Sequence, residues 1–308
     1  FINKIINKTY YFDSKELKNI VTSKNEIFNI PYEISLYDNK EKKLLISKLF
    51  FNFPKLKIQN QFNYSDEIKL GKADIILNKT KSFINYKTNK NFIDFIFFEK
   101  VDNSEFFYNG KFNFSPFYSS LNGKTKRLNL SYFLNRNSLI LQLLKTEIFN
   151  NKNIDFKINI HADKVYKNAN FKNINLSSNL QEGLIDTDNT KFKWRDFADF
   201  ELLESLIFVK NGELILDGKI KINVNDYNKI YKFLLTPKNY RNKIKEIDFN
   251  FTYNFDQKIA ELKDIKIDNK INQSVNKILN NVVFKKEDLQ NKIYFKNLLN
   301  EAIKNYAG

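Results

Sequence analysis

Apolar residues recur at every second position in several strand-length stretches of this chain. Ile154, Phe156, Ile158 and Ile160 alternate with Asp155, Lys157, Asn159 and His161. Leu214, Leu216, Ile220, Ile222 and Val224 keep one parity straight across Gly218. Ile247, Phe249, Phe251, Tyr253 and Phe255 do the same against Asp248, Asn250, Thr252 and Asn254. Leu56, Ile58, Phe62 and Tyr64 alternate too, as do Phe112 and Phe114 before Pro116. A period of two sends one set of side chains to each face of a sheet. One apolar and one polar face describe antiparallel sheet rather than buried parallel sheet. The pattern predicts a mainly β chain, strand after strand from about Ile30 to Leu180, in an elongated, twisted antiparallel sheet curled into a groove.

Turn residues punctuate the pattern. Asn211-Gly212 suits a type I′ turn, which needs positive φ at both positions. Pairing across it sets Lys210 opposite Glu213, Val209 opposite Leu214 and Ile207 opposite Leu216, a charge pair on one face and apolar pairs on the other. Reversal at Asp217-Gly218 would set Leu216 against Lys219, so Gly218 is read as a bend or bulge inside one long strand. Asn109-Gly110 and Asn122-Gly123 are read as further turns. Helices are few. Asn225 or Asp226 caps one carrying Tyr227, Ile230, Tyr231 and Leu234, which stops before Pro237. Val275, Ile278, Leu279 and Val282 repeat that spacing, and Lys145 to Glu147 is compatible with a helical turn. The tail aligns Phe295, Leu299, Ala302, Ile303 and Tyr306 on one stripe. Such a stripe caps the open end of a sheet, with a membrane-surface or partner-binding helix as the alternative. The expected division is a β-rich groove region over 1–270 and a C-terminal helical cap over 271–308.

Composition narrows the classes. With 308 residues, 42% hydrophobic and 28% charged, the chain has ample material for a folded core. The formal charge is +16. Such a charge attracts anionic surfaces, but the lysines are spread along the chain and accompany an excess of Asn, Ile, Phe and Tyr, the residues that A/T-rich codons supply. Aromatics share the parity of Ile and Leu while lysines take the other, whereas a base-stacking platform would mix them. No nucleic-acid partner is expected. There is no Cys and no Met, which excludes thiol chemistry and places the natural translation start upstream of Phe1. No apolar run exceeds four residues, Phe95 to Phe98 and Leu206 to Val209 being the longest, so no segment here spans a bilayer as a helix.

Signs of catalysis are sparse. His161 is the only histidine, and it falls on the polar parity beside Asp163, as a solvent-facing strand residue would. Phosphate-cradling glycine loops and His-Glu-x-x-His are absent. Asp186, Asp188, Glu201 and Glu204 are near one another only in sequence, which is weak ground for acid–base work. No enzyme activity, cofactor or metal is expected.

Several segments together resemble the C-terminal region of the AsmA-like family in its divergent alphaproteobacterial form. They are Gly110-Lys111-Phe112-Asn113-Phe114-Ser115-Pro116-Phe117, then Ile154 to Val165, then Phe171-Lys172-Asn173-Ile174-Asn175-Leu176. Gly183-Leu184-Ile185-Asp186, Trp194, the stretch Asn211 to Gly218 and the run Tyr231 to Arg241 continue the resemblance, and Ala307-Gly308 looks like a native C-terminus. The likeness covers roughly half the chain, and its motifs are of modest specificity because β-repeats drift. It implies a Gram-negative envelope protein with its body in the periplasm, held in the inner membrane by an N-terminal anchor outside the given sequence. The implied fold is a long curved sheet with an apolar inner face, as in bridge-like lipid transfer proteins. The implied role is moving or chaperoning phospholipid, or influencing outer-membrane biogenesis.

On that expectation a lipid-binding groove is lined by Phe112, Phe114, Ile154, Phe156, Ile158, Ile160, Leu214, Leu216, Ile220, Ile222, Val224, Ile247, Phe249 and Phe251. Its partners would be phospholipid acyl chains, taken up passively from one apolar environment to another. A face of Ile and Phe seals a closed sandwich core equally well. The alternative function is therefore a structural or assembly scaffold for outer-membrane proteins, working through exposed strand edges.

Overall fold

The computed structural model describes residues 3–27, 30–52, 55–77, 80–101, 104–115, 117–129, 144–145, 149–166, 168–279, 282–285 and 291–307. Strands dominate, every described pairing is antiparallel, and helices are few, as the alternation predicts. The chain divides into two compact units, Phe1–Thr125 and Lys126–Gly308. The division at residue 270 drawn from the sequence separates strand-rich from helix-rich chain. The compact units cut across it, because the C-terminal helices pack within the second unit.

The first unit is a meander. Strands β1 (Asn3–Asp13), β2 (Lys18–Ile27), β3 (Ile30–Asn39), β4 (Leu44–Phe51) and β5 (Leu56–Asn63) are followed by β6 (Lys69–Leu77), β7 (Thr80–Thr88), β8 (Phe92–Val101), β9 (Ser104–Phe114) and β10 (Phe117–Leu128). Each pairs with the next. The sequence reading begins its strands at Ile30 and so misses β1 and β2, whose apolar and polar residues do not alternate cleanly. One face carries apolar rows in register, such as Ile34, Leu49, Ile58 and Ile75. Among the described residues of this unit the only buried apolar side chain is Ala73, and its own described elements are all strands of this meander.

The turns expected at Asn109-Gly110 and Asn122-Gly123 are not turns. Both dipeptides lie inside paired strands, with Asn109 opposite Asn122 and Gly110 opposite Leu121. At Gly110 the glycine serves close approach. A Cβ on Gly110 would sit 2.6 Å from both the Phe95 ring and the Ser120 carbonyl oxygen. Gly71 is covered in the same way by the Tyr86 ring.

In the second unit, β11 (Ile154–Val165) pairs with β12 (Asn168–Gln181). Two short strands, β13 (Leu184–Asp186) and β14 (Lys191–Trp194), lie between β12 and β15 (Ala198–Lys210). Then come β16 (Glu213–Val224), β17 (Glu246–Asn254) and β18 (Ile259–Ile267), with β19 (Lys270–Ile271) and β20 (Val283–Lys285) on the flank of β18. The hairpin between β15 and β16 has the predicted register: Lys210 faces Glu213, Val209 faces Leu214 and Ile207 faces Leu216. Asn211 and Gly212 have φ of 54° and 76°, as a type I′ turn requires. The Glu213 carboxylate accepts hydrogen bonds from Asn254 at 2.7 Å and Gln257 at 2.9 Å. Strand β16 runs unbroken through Gly218, and the bulge lies opposite it, at Glu204 (φ 50°) and Ser205 of β15.

Among the described residues three α-helices of seven residues or more complete the unit: α1 (Tyr227–Leu234), α2 (Gln273–Leu279) and α3 (Lys292–Ala307). Asp226 caps α1 by accepting from the Lys229 amide at 3.0 Å, and α1 ends at Leu235 in the left-handed region. Val282 falls outside α2. Leu144 and Lys145 form a helical turn, and Glu147 lies outside the described residues.

Candidate functional site

The strand registers bring the alternating residues of the second unit onto one face. Phe156, Leu180, Ile185, Ile207, Leu216, Tyr253, Ala260 and Phe284 stand opposite one another from β11 across to β20. A second row runs Phe192, Phe200, Ile222, Ile247, Ile267. A third joins Phe171, Trp194, Ala198 and Val224.

This face curls around an apolar cavity of about 350 Å³. Its wall includes Phe171 of β12 and Ile265 and Ile267 of β18. Five ladder steps separate those strands, about 24 Å in a flat sheet. Side chains that far apart line one small space only because the sheet is strongly curved. The helices roof the cavity with Tyr231 and Leu234 of α1, Val275 and Leu279 of α2, and Leu299, Ala302, Ile303 and Tyr306 of α3. The tail stripe thus caps the sheet, as its spacing predicts. The Phe295 side chain lies outside the described residues.

Polar groups hold the roof in place. Asn276 of α2 donates to the Ile265 carbonyl at 2.9 Å and accepts from its amide at 2.8 Å. Asn300 of α3 donates to the Leu234 carbonyl at 2.7 Å, and Lys296 to the Phe233 carbonyl at 2.7 Å, so α3 satisfies the free carbonyls at the end of α1. Tyr231, 1% exposed, donates to the Asn242 carbonyl at 2.6 Å. Burial, with Tyr306, Tyr227 and Asp268 nearby, pushes its hydroxyl up to about 12. Burial and Asp268 raise Tyr306 as well. Among the described residues the wall has no Asp, Glu, Lys, Arg or His.

Of the residues expected in a groove, Ile222, Val224, Ile247 and Phe249 line this cavity. Ile220 lies between them, opposite Phe249. Phe251 faces Gly218 and is buried, as is Ile160. Ile154, Phe156 and Ile158 are half-buried on the same parity of β11. Leu214 and Leu216 join a separate cluster with Phe255 and Leu144. There Asp256 accepts from the Leu214 amide at 3.0 Å and forms an ion pair with Lys145. Phe112 and Phe114 belong to the first unit, where Phe112 lines a depression of about 500 Å³ with Phe62, Ile84 and Phe95. Phe114 is 46% exposed at its strand end.

Sequence reasoning missed Phe171, Trp194, Phe200, Leu262 and the helix side chains as walls. The obstacle is irregular parity. Bulges at Asn173, Glu204 and Asp264, each with φ near 50°, shift the alternation midway along β12, β15 and β18.

His161 takes the solvent-facing place its parity predicts, Nδ1 lying 2.6 Å from Asn175 Oδ1 and Nε2 3.9 Å from Asp163. The sequence-adjacent carboxylates serve the fold. Asp188 accepts from the Ser205 amide at 2.6 Å, and Glu201 pairs with Lys191 at 2.8 Å. Among the described residues no three His, Asp or Glu side chains cluster as a metal site. The arrangement can exclude water and hold hydrocarbon. Comparison of the chain with protein-family models, curated proteins and solved structures returns no match.

Proposed function

We propose that the protein binds hydrocarbon chains in the helix-roofed cavity and serves, as an AsmA-like envelope protein, in passive phospholipid transfer or outer-membrane biogenesis. In this reading it works in the periplasm, attached to the inner membrane through a segment beyond the given sequence. The observation that carries the proposal is the cavity of about 350 Å³, its described lining free of charged side chains, on the face picked out by the alternation. A dry apolar space accepts an acyl chain because removing its methylenes from water contributes roughly 0.8 kcal/mol each. Transfer between two apolar environments is nearly neutral, so this step draws on no energy source. The exposed apolar side chains of the first unit, Ile76, Leu77 and Ile96 among them, support the same reading, because exposed apolar surface marks interaction sites.

The test combines mass spectrometry of lipid retained through native purification with Ile222→Asp. Ile222 is only half-buried beside the cavity, so water can reach the new carboxylate, and the variant should stay folded by circular dichroism and lose binding of a fluorescent fatty acid. Unfolding would instead show a closed core, where burying a carboxylate costs several kcal/mol.

One observation favours the scaffold alternative. Strand β1 pairs with β2 alone among the described residues, and Ile5, Tyr10 and Tyr11 on it are more than 60% exposed. A free edge with apolar side chains accepts an added strand. Retained protein partners without retained lipid would decide for that reading.

A further inference from the structure

Two cations lie one aromatic ring away from the cavity wall. Trp194, part of the cavity wall, packs edge-on against Phe233 of α1 with ring centroids 5.2 Å apart. Both cations lie over Phe233. The Arg195 guanidinium carbon is 5.3 Å from the ring centroid and the Lys296 ammonium 4.2 Å, so the two charges are within 10 Å of each other. Arg195 also lies 5.4 Å over Phe197. Aromatic faces hold such cations in place without neutralising them.

Neither cation is paired with a carboxylate among the described residues. Arg195 donates through Nε to Asn170 Oδ1 at 2.8 Å, which orients the guanidinium and leaves four of its five N–H groups for other acceptors. Lys296 gives one bond, 2.7 Å, to the Phe233 carbonyl. The carboxylate nearest in sequence, Asp196, is taken by Lys229 at 2.5 Å. The Arg195 backbone is held in the left-handed region, φ 52°, in the tight loop between β14 and β15. That conformation is unfavourable for an arginine.

We propose that Arg195 and Lys296 receive the anionic head of a single-chain amphiphile whose tail lies in the cavity. This inference rests on the acyl-chain reading above. The chain count follows from size, since about 350 Å³ is at the small end of ligand pockets, about 300–1,000 Å³. An apolar wall disfavours a polar head inside the cavity, and the two cations stand beside its wall residue Trp194, over the Phe233 ring. A carboxylate or a phosphate monoester matches the guanidinium fork.

The experiment uses the delipidated full chain and displacement of a fluorescent fatty acid by three ligands of equal tail length. These are palmitate, palmitoyl lysophosphatidic acid and uncharged monopalmitoylglycerol. Inorganic phosphate is a fourth arm. The expected result is that both anionic amphiphiles bind roughly tenfold or more tightly than the neutral one, the worth of one charge-assisted hydrogen bond. Arg195→Gln should remove that preference and leave neutral binding unchanged, and Lys296→Gln should reduce the ratio of anionic to neutral binding. The tighter of the two anions identifies the head. Equal binding of neutral and anionic ligands, or a preference that survives both substitutions, overturns the headgroup site and leaves the cavity reading standing. Phosphate binding at Arg195 that does not affect the amphiphiles also overturns it. Failure of all three amphiphiles to bind overturns the cavity reading itself. Lys296 also caps α1, so a thermal melt accompanies its variant. Should Lys296→Gln unfold, Arg195→Gln decides the question alone.

Discussion

Replacing Gly212 isolates the energetic cost of backbone handedness. The residue has φ of +76°, and a Cβ built on it meets no atom within 4 Å. Any loss on substitution is therefore conformational. An L-residue in the left-handed region costs about 1–2 kcal/mol, with β-branched residues at the top of that range or beyond. The turn lies in the unit Lys126–Gly308. For a domain of that size 1 kcal/mol moves the melting midpoint by about 2–4 °C. Gly212→Ala should then lower the midpoint by about 2–8 °C and Gly212→Val by somewhat more. Gly212→Asn should lose least, because asparagine tolerates that conformation. Far-ultraviolet circular dichroism melts of the three variants measure the series. Alanine as stable as glycine, or asparagine worse than alanine, would refute the type I′ turn and the register that depends on it.

Gly218 is limited by space rather than handedness. A Cβ there would lie 2.6 Å from Ser205 Cβ and 2.7 Å from its Cα. Gly218→Ala should cost about 1–3 kcal/mol in denaturant titrations, and Ser205→Gly should restore only part of it because the Cα remains. Tyr231 predicts an alkaline transition. Its hydroxyl is raised to about 12 from an unfolded value near 10, so the folded state binds the extra proton between those values. Its contribution, up to about 3 kcal/mol, is complete below pH 10 and is lost as pH rises toward 12. Stability measured across that window should fall, and Tyr231→Phe should flatten the fall. An unchanged slope in the variant would show that another group titrates.

Local signals were legible where physics is local. The Asn-Gly pair of the β15–β16 hairpin needs only its own backbone to declare its turn. Asp226 and the spacing from Tyr227 to Leu234 suffice for a capped helix. The same dipeptide misled at Asn109-Gly110 and Asn122-Gly123, which lie paired inside strands, Gly110 beneath the Phe95 ring and the Ser120 carbonyl. Those neighbours come from other parts of the chain. The candidate site was half legible. Ile222, Val224, Ile247 and Phe249 follow an unbroken alternation, whereas Phe171 and Ile265 lie beyond bulges that no residue type announced.

By itself the sequence determined a mainly β, antiparallel chain with one apolar face, because side-chain direction alternates with a period of two whatever the neighbours do. It also determined that the tail is an amphipathic helix able to cover such a face. Only the tertiary structure decided that the second unit's face is curled and roofed, leaving a cavity whose described lining is free of charged side chains, while the first unit's own described elements are all strands of one meander. Curvature arises from bulges and strand twist summed over many pairings, and a cavity is the space that packing fails to fill. Neither quantity belongs to any one segment of sequence.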